Sequence, residues 1–433
     1  METGLLEMSK GDDKAKKATD LLSLLESLSM ANQKNSDLNQ TKNQHEFWST
    51  QPVPQSKKEL IEVDEDGPID PKASEKIRLT AYELPEGFQF VEFNIDSESD
   101  LNELYHLLCE NYVEDYDSLF RFEYSKEFLI WALKAPGWKK EWHVAIRSVK
   151  DSKLMAFICA VPCKFRMRKH EIDSVEVNFL CIEKSLRSKR LAPLLIKEVT
   201  RRVNLEGIFQ ALYTAGIPLP EPIGTAQYYH RPLNFKKLLE CGFTYLPPGK
   251  TVDQMDNYYK LPTKYSLNIR PLCEKDIPRV MELFGNYMKK FQLSHQLNET
   301  EFRHWFLPRD KVIYSYVVFD ENEDSEIVDF FSFYSIPSSI LNQPNIPHKT
   351  IEVAYLFYYS VSSEIRLLPL IKTVLQEAAK LGFDVLNCLN LMENTENLLN
   401  ALKFGAGDGQ LRFYLYNWKT KPLKSTEIGF IML

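Results

Sequence analysis

Four cations, Lys184, Arg187, Lys189 and Arg190, crowd into one turn that follows an apolar run and precedes a proline-started helical pattern. Val175, Val177, Phe179 and Cys181 alternate with Glu176, Asn178, Leu180 and Ile182 in the period of a strand, and both faces are mostly apolar, so a buried strand is expected. Pro193 suits the first turn of a helix, and Leu194, Leu195, Val199 and Val203 give that helix an apolar face. Backbone N–H groups without partners at a helix start attract anions, so strand, basic turn and helix together read as a phosphate cradle. The alternative is a solvated basic helix. The whole chain carries a net charge of −7, however, so a local knot of positive charge calls for a local reason.

Other residues could do chemistry. The segment KFGAGDG, Lys403 to Gly409, packs three glycines and Asp408 between a helix pattern and a strand pattern; it is expected to be a loop that another backbone approaches closely. The run from Asn111 to Ser125 joins the acids Glu114, Asp115 and Asp117 to Phe120, Phe122 and Tyr124, and by itself reads as a loop with a solvated acidic face. The chain ends in EIGFIML, an apolar, strand-like run with no polar tail. Chain ends usually fray in water; this one looks built to be buried, although an edge strand with an exposed terminus would read the same way. Seven cysteines without CxxC pairs suggest neither a disulfide framework nor a zinc site, and eight histidines show no metal-ligand spacing, so no metal is expected. Cys181 invites an acyl-cysteine reading, but no histidine base accompanies it in a motif, and a cysteine in an apolar strand is usually core.

A chain of 433 residues fits two domains plus a tail. Residues 1 to 44 are polar and poor in aromatics, which predicts disorder; Thr19 to Met30 is an amphipathic helix candidate that either docks a partner or membrane or forms weakly within the tail. Phe47 and Trp48 interrupt a polar, proline-bearing segment and should be buried against the domain or a ligand. A faint duplication follows. The stretches beginning at Phe88 and Leu267 both read as strand, cap and amphipathic helix, and those beginning at Asn234 and Asn397 both read as helix, Gly stop and returning strand. Two related domains are expected, 45–265 and 266–433, joined near Pro262 to Ser266. Apolar runs too short to span a membrane, and a start without a signal-peptide core, suggest a soluble cytoplasmic protein.

The segments FWSTQPVP, EVNFLCIEK, LRSKRLAP, YTAG and KFGAGDG occur in this order and at separations that closely resemble the glycylpeptide N-tetradecanoyltransferase, or N-myristoyltransferase, family, from about residue 45 to the end. The family signature usually has histidine where this chain has Glu183. The resemblance implies an α+β fold of two tandem N-acetyltransferase-like (GNAT-type) domains with mixed sheets flanked by helices. The first would bind myristoyl-CoA, a co-substrate and not a tightly held cofactor; the second would complete a peptide groove.

It assigns Phe47 and Trp48 to the CoA moiety and Arg187, Ser188, Lys189, Arg190, Leu191 and Ala192 to its phosphates. The N–H groups of Phe179 and Leu180 would form an oxyanion hole, which requires the strand to bulge there. The base would be the carboxylate of Leu433, with Asn178, Thr214 and Tyr112 beside the amine. Glu114, Asp115 and Asp117 would meet basic residues of the peptide, and Phe120, Phe122 and Tyr124 would wall its path. Tyr228, His230, Asp408 and Gly409 would read a Ser or Thr in substrates of M-G-x-x-x-[ST] type, with Gly216 in the groove and Tyr334 and Ser338 on the opposite wall. The implied reaction is direct transfer of myristate to the α-amine of an N-terminal glycine. The implied partners are Gly-starting peptides and nascent proteins, with ribosome contact through the tail, no nucleic acid and a monomeric state. An acetyl- or aminoacyltransferase would need neither KFGAGDG nor a buried apolar end, and a silent peptide-binding module would not need Asn178, Thr214 and the terminal residues together.

Overall fold

The computed structural model describes residues 46–112, 119–265, 267–320, 326–341 and 346–433. The tail, with its helix candidate, and Glu114, Asp115 and Asp117 lie outside the described residues. The architecture is α+β, and the two halves repeat one order of elements. In the first half the strand Phe88–Glu92 is followed by helices Glu98–Asn111 and Lys126–Leu133. Three antiparallel strands come next, His143–Ser148, Leu154–Met167 and His170–Ile182, then helix Leu191–Asn204 and strand Ala211–Ala215. In the second half the corresponding series is Asn268–Pro271, helices Ile277–Met288 and Glu299–Phe306, strands Ile313–Phe319, Ile327–Ser335 and Val353–Ser360, helix Leu367–Lys380 and strand Val385–Leu389.

Both halves share one mixed sheet, with Phe88–Glu92 at one end and Asn268–Pro271 at the other. At its centre the last strands are exchanged. Gly405–Tyr416, from the second half, pairs with Ala211–Ala215, while Gly224–Pro232, from the first, pairs with Val385–Leu389; the two exchanged strands also pair with each other. In each half the fifth strand runs parallel to its neighbour for a few residues only. His170–Ile182 matches Ala211–Ala215 at Val175 and Glu176, and Val353–Ser360 matches Val385–Leu389 from Val353 to Tyr355. Past those pairs the strands part and open the sheet from within.

Local sequence sets these elements. Ser97 and Ser125 cap their helices by accepting the N–H groups of Asp100 and Phe128. Leu191, Leu195, Val199 and Val203 fall at i, i+4, i+8 and i+12 and are buried against Val144, Ile146, Ile158 and Val175; Leu194 lies off that stripe and is half-buried. Three sequence expectations fail here. Phe235–Glu240 is a helix that stops at Gly242, but the expected returning strand in Phe243 to Leu246 does not form; the first half's last strand, Gly224–Pro232, comes before the helix and not after it. KFGAGDG is not a loop: Gly405 onward is already strand, with a bulge between Ala406 and Gln410 opposite Gly224–Pro232. Phe120–Phe122 is likewise a strand, in a small sheet with Ser338–Ile340 and Thr350–Ile351. None of the seven cysteines forms a disulfide.

Candidate active site

The strand His170–Ile182 bulges where it leaves its parallel neighbour. Phe157 faces Cys181 and Cys159 faces Asn178, so Phe179 and Leu180 oppose the single residue Ile158, and Phe179 takes φ 54°. A left-handed φ on an aromatic residue is uncommon and has to be held by its surroundings. Here Tyr112 and Tyr124 hold the Phe179 ring at centroid distances of 6.0 and 5.3 Å. Burial pushes the Tyr112 phenol well up, and the Phe179 backbone amide lies against it, favouring its ionised form only weakly. Cys181 is buried, its thiol pushed up to about 12 by desolvation, and its Sγ lies 3.7 Å from the Leu107 carbonyl. It is a core thiol with almost no thiolate at neutral pH.

Beyond the bulge, the basic residues Lys184–Lys189 form a tight 3-10 turn. Arg190 then takes φ 55° and starts the helix at Leu191, with no side chain capping it. Ser188, Lys189 and Arg190 are exposed. Buried Asn111 steadies the turn: its Oδ1 accepts the N–H of Lys184 at 3.0 Å and its carbonyl accepts from Arg187. Glu183 accepts from Ser185 at 3.2 Å and lies 3.8 Å from Lys153. Trp48 is buried, stacked on Tyr213 at 5.4 Å and 5°, while the half-buried Phe47 meets its edge and lies under Lys197.

Thr214 sits opposite Phe413 in the exchanged strand, and Gly216 follows in the turn, its carbonyl accepting from Arg412. His230 lies in the other exchanged strand. Its Nδ1 is 2.7 Å from Asn387 Oδ1, so the neutral ring donates there and keeps Nε2 as an acceptor. Burial lowers its pKa, opposed by Asn387 and by the charge of Asp408. Gly407 passes so close that a Cβ there would lie 2.2 Å from His230 Nε2, and one on Gly409 would lie 3.3 Å from Tyr228. Those two approaches explain two of the three glycines; Asp408 itself is exposed.

Tyr228, its phenol pushed up to about 12 by burial, lines a cavity of about 20 Å³ with Tyr334, Tyr355, Asn387, Ile431 and Met432, room for a water molecule. Tyr334 stacks on Tyr355 at 5.3 Å. Ser338 pairs directly with Phe122 in the small sheet, so the two lie side by side there. The chain end reaches the same cavity. Ile428 and Gly429 pair with Leu293 and Ser294, Ile428, Phe430, Ile431 and Met432 are buried, and Leu433 is half-buried against the core. The strand-like run is therefore regular for two residues only.

Residues 68–226 match the N-terminal domain of myristoyl-CoA:protein N-myristoyltransferase, and residues 240–429 match its C-terminal domain. This chain belongs to the N-myristoyltransferase family. Membership makes it an acyltransferase. It is 45% identical to bovine glycylpeptide N-tetradecanoyltransferase 2 over 90% of this chain and 77% of the bovine one, and 46% identical to the Eremothecium gossypii enzyme over 88% and 87%. Its fold superposes on Saccharomyces cerevisiae N-myristoyltransferase with bound myristoyl-CoA at TM-score 0.84, with 42% identity, covering 90% of this chain and 99% of that one.

Sequence reasoning missed Asn111, Tyr355, Tyr358, Asn387 and the buried Glu176. Tyr355 and Tyr358 sit in AYLFYYS, which cannot be told from an aromatic core strand before the fold is known. Glu176 interrupts an apolar run, and that was a usable signal. Among the described residues no helix is long and apolar enough to cross a membrane.

Proposed function

We propose that the chain transfers myristate from myristoyl-CoA to the α-amine of an N-terminal glycine by direct attack on the thioester, with the Leu433 carboxylate as base. A free α-amine has a pKa near 8, so about a tenth is neutral at pH 7 and a base raises that fraction at the moment of attack. The amine nitrogen bonds to the thioester carbon while its proton passes to the carboxylate. The tetrahedral oxyanion is held by the N–H groups of Phe179 and Leu180, and the C–S bond then breaks as the CoA sulfur leaves and is protonated. Asn178, Thr214 and Tyr112 orient the amine.

Residues 45–265 bind the donor, with Phe47 and Trp48 on the CoA moiety and Arg187 to Ala192 on its phosphates; residues 266–433 complete the groove and supply the carboxylate. Fourteen carbons buried at ~0.8 kcal/mol per CH₂ give on the order of 10 kcal/mol, enough to select chain length. Glu114, Asp115 and Asp117 meet basic peptide residues, Phe120, Phe122 and Tyr124 line the path, and Gly216, Tyr334 and Ser338 contact the peptide. Neutral His230, accepting at Nε2 beside Tyr228, Asp408 and Gly409, suits a Ser or Thr hydroxyl. We assign the protein to the cytoplasm as a monomer, with the tail as a ribosome contact. The observation that carries the reading is that the buried run through Phe430, Ile431 and Met432 reaches the tyrosine-lined cavity, next to the half-buried Leu433. A semisynthetic protein ending in Leu433 carboxamide keeps the shape and removes the charge. Its kcat should fall ~10²-fold or more with myristoyl-CoA affinity kept; normal turnover across neutral pH would remove the carboxylate from the mechanism.

A further inference from the structure

The terminal run leaves its ladder after Gly429, and what holds it from there is made of side chains. Ile431 N–H donates to Tyr358 Oη at 2.8 Å, anchoring the chain two residues short of its end. The same hydroxyl lies 3.4 Å from His295 Nδ1. A phenol has one proton; since its oxygen accepts from Ile431, that proton is free to be donated to Nδ1, which must then be the unprotonated nitrogen of a neutral ring. Burial supports this, depressing the His295 pKa to about 3. His295 also stacks on Phe430 at 4.5 Å and 28°, and the other neighbour of the Phe430 ring is Phe165, edge-on at 6.4 Å. The segment Leu293–His295 carrying this histidine pairs on one side with Ile428–Gly429 and on the other with Phe165 to Met167. Tyr358 and His295 are both buried, as are Phe430 and Ile431.

We propose that Tyr358 and His295 are positioning residues for the terminal carboxylate: Tyr358 fixes the backbone of Ile431, and His295 fixes the Tyr358 hydroxyl while bracing Phe430. The inference rests on the reading of that carboxylate as the base. An extended chain advances about 3.3–3.6 Å per residue, so a residue anchored at its N–H leaves the Leu433 carboxylate within a short, defined reach. Without the anchor the last three residues gain the freedom typical of a chain end. A catalytic group must sit in a near-attack geometry, and an ångström of misplacement can cost ~100-fold in rate.

The test compares Tyr358→Phe, His295→Phe, His295→Asn and the double variant Tyr358→Phe/His295→Phe, measuring kcat and KM with a Gly-starting peptide, calorimetric Kd for myristoyl-CoA, and thermal melting. Tyr358→Phe keeps the ring and should lower kcat at least ~10-fold with peptide KM and myristoyl-CoA Kd changed less than about twofold, a split that general loss of packing does not produce. His295→Phe keeps an aromatic stack and removes the acceptor, so it should lower kcat in the same sense. The double variant should be no slower than Tyr358→Phe, because the histidine acts through that hydroxyl. His295→Asn keeps an acceptor near Nδ1 and gives up the stack on Phe430, so its kcat set against that of His295→Phe shows which of the two contacts matters more, and both should fall below the parent. A Tyr358→Phe kcat within twofold of the parent, or losses that multiply in the double variant, would overturn the proposal. If the Leu433 carboxamide is slow while Tyr358→Phe is normal, the positioning proposal alone fails; if the carboxamide is normal, the base assignment fails first.

Discussion

Gly407→Ala separates the role of His230 from that of the backbone around it. Gly407 does not occupy the left-handed region, so alanine meets no conformational penalty there, and the whole effect comes from contact. An ideal Cβ would lie 2.2 Å from His230 Nε2 and 2.7 Å from Cδ2. Carbon and nitrogen do not approach so closely, so either the bulge or the imidazole must move by about an ångström. The imidazole is held by its 2.7 Å hydrogen bond to Asn387 and by an edge contact with Phe243. Forcing an extra methyl into such a place costs ~1–3 kcal/mol, and losing the buried hydrogen bond adds ~1 kcal/mol. If His230 reads a hydroxyl, peptides of the form Gly-x-x-x-Ser should lose about tenfold more kcat/KM than Gly-x-x-x-Ala peptides, the equivalent of ~1.4 kcal/mol. Gly409→Ala is the control: its Cβ meets Tyr228 at 3.3 Å, a clash that a few tenths of an ångström relieves. Equal losses on both peptides in Gly407→Ala would refute the idea that His230 reads that position and leave only a packing defect.

Lys189→Glu with Arg190→Glu should weaken myristoyl-CoA binding by ~100-fold at low salt and less at high salt, without lowering Tm, because both side chains are exposed; unchanged calorimetric affinity would return the turn to a solvated surface. Glu176 is buried and desolvation raises its carboxyl to about 8, so between pH 4.5 and 8 the folded chain keeps a proton that the unfolded chain has lost, and stability declines as pH rises through that window. Glu176→Gln should therefore gain a few kcal/mol in urea unfolding at pH 8 and almost nothing at pH 4; a pH-independent gain would mean that the carboxyl is ionised in the fold. His143 and His304 are depressed to about 4, mainly by burial, so they hold stability above pH 6.5 that is lost as pH falls towards 4. In the Glu176→Gln background that loss, to which His295 adds, should appear with less opposition, Glu301 being the remaining raised carboxyl, at ~3 kcal/mol for each histidine, and a flat urea midpoint from pH 6.5 to 4 would contradict it.

What the sequence showed depended on whether a signal was local. The Leu191, Leu195, Val199 and Val203 stripe and the strand before it are written in neighbouring residues. So are the opening strand and helix of each half, which lie at opposite ends of the sheet. The exchange of final strands is not local: nothing in QLRFYLYNW says that it will pair with Ala211–Ala215. The matching of Asn234 with Asn397 failed because a strand follows the helix in the second half only. KFGAGDG looked like a loop because glycines usually mark one. In the structure they thin a strand so that His230 and Tyr228 can approach it, which no one-dimensional pattern distinguishes. Asn111, Asn387 and Tyr358 act through contacts with residues far away in sequence, at Lys184, His230 and Ile431.

The exchanged strands also explain why the site needs both halves. His230, from the first half, lies between Gly405–Ala406 and Asn387, both from the second. Thr214 lies against Phe413. The bulge at Phe179 belongs to a first-half strand, yet the chain end that approaches the cavity comes last in the sequence and is tied back by Leu293–His295 to Phe165 and Met167. A half folded by itself would leave the edge of Ala211–Ala215 or of Val385–Leu389 unpaired, and such edges are sticky. Joining the halves through the sheet removes the edges and creates a gap where the parallel strands part. The geometry of that gap is then set by backbone ladders on both sides, which hold position better than loops do. On the proposed mechanism such a setting is what a terminal carboxylate needs, because the strand, the stacked Phe430 ring and the Tyr358 hydroxyl take up the freedom of the residues just before it.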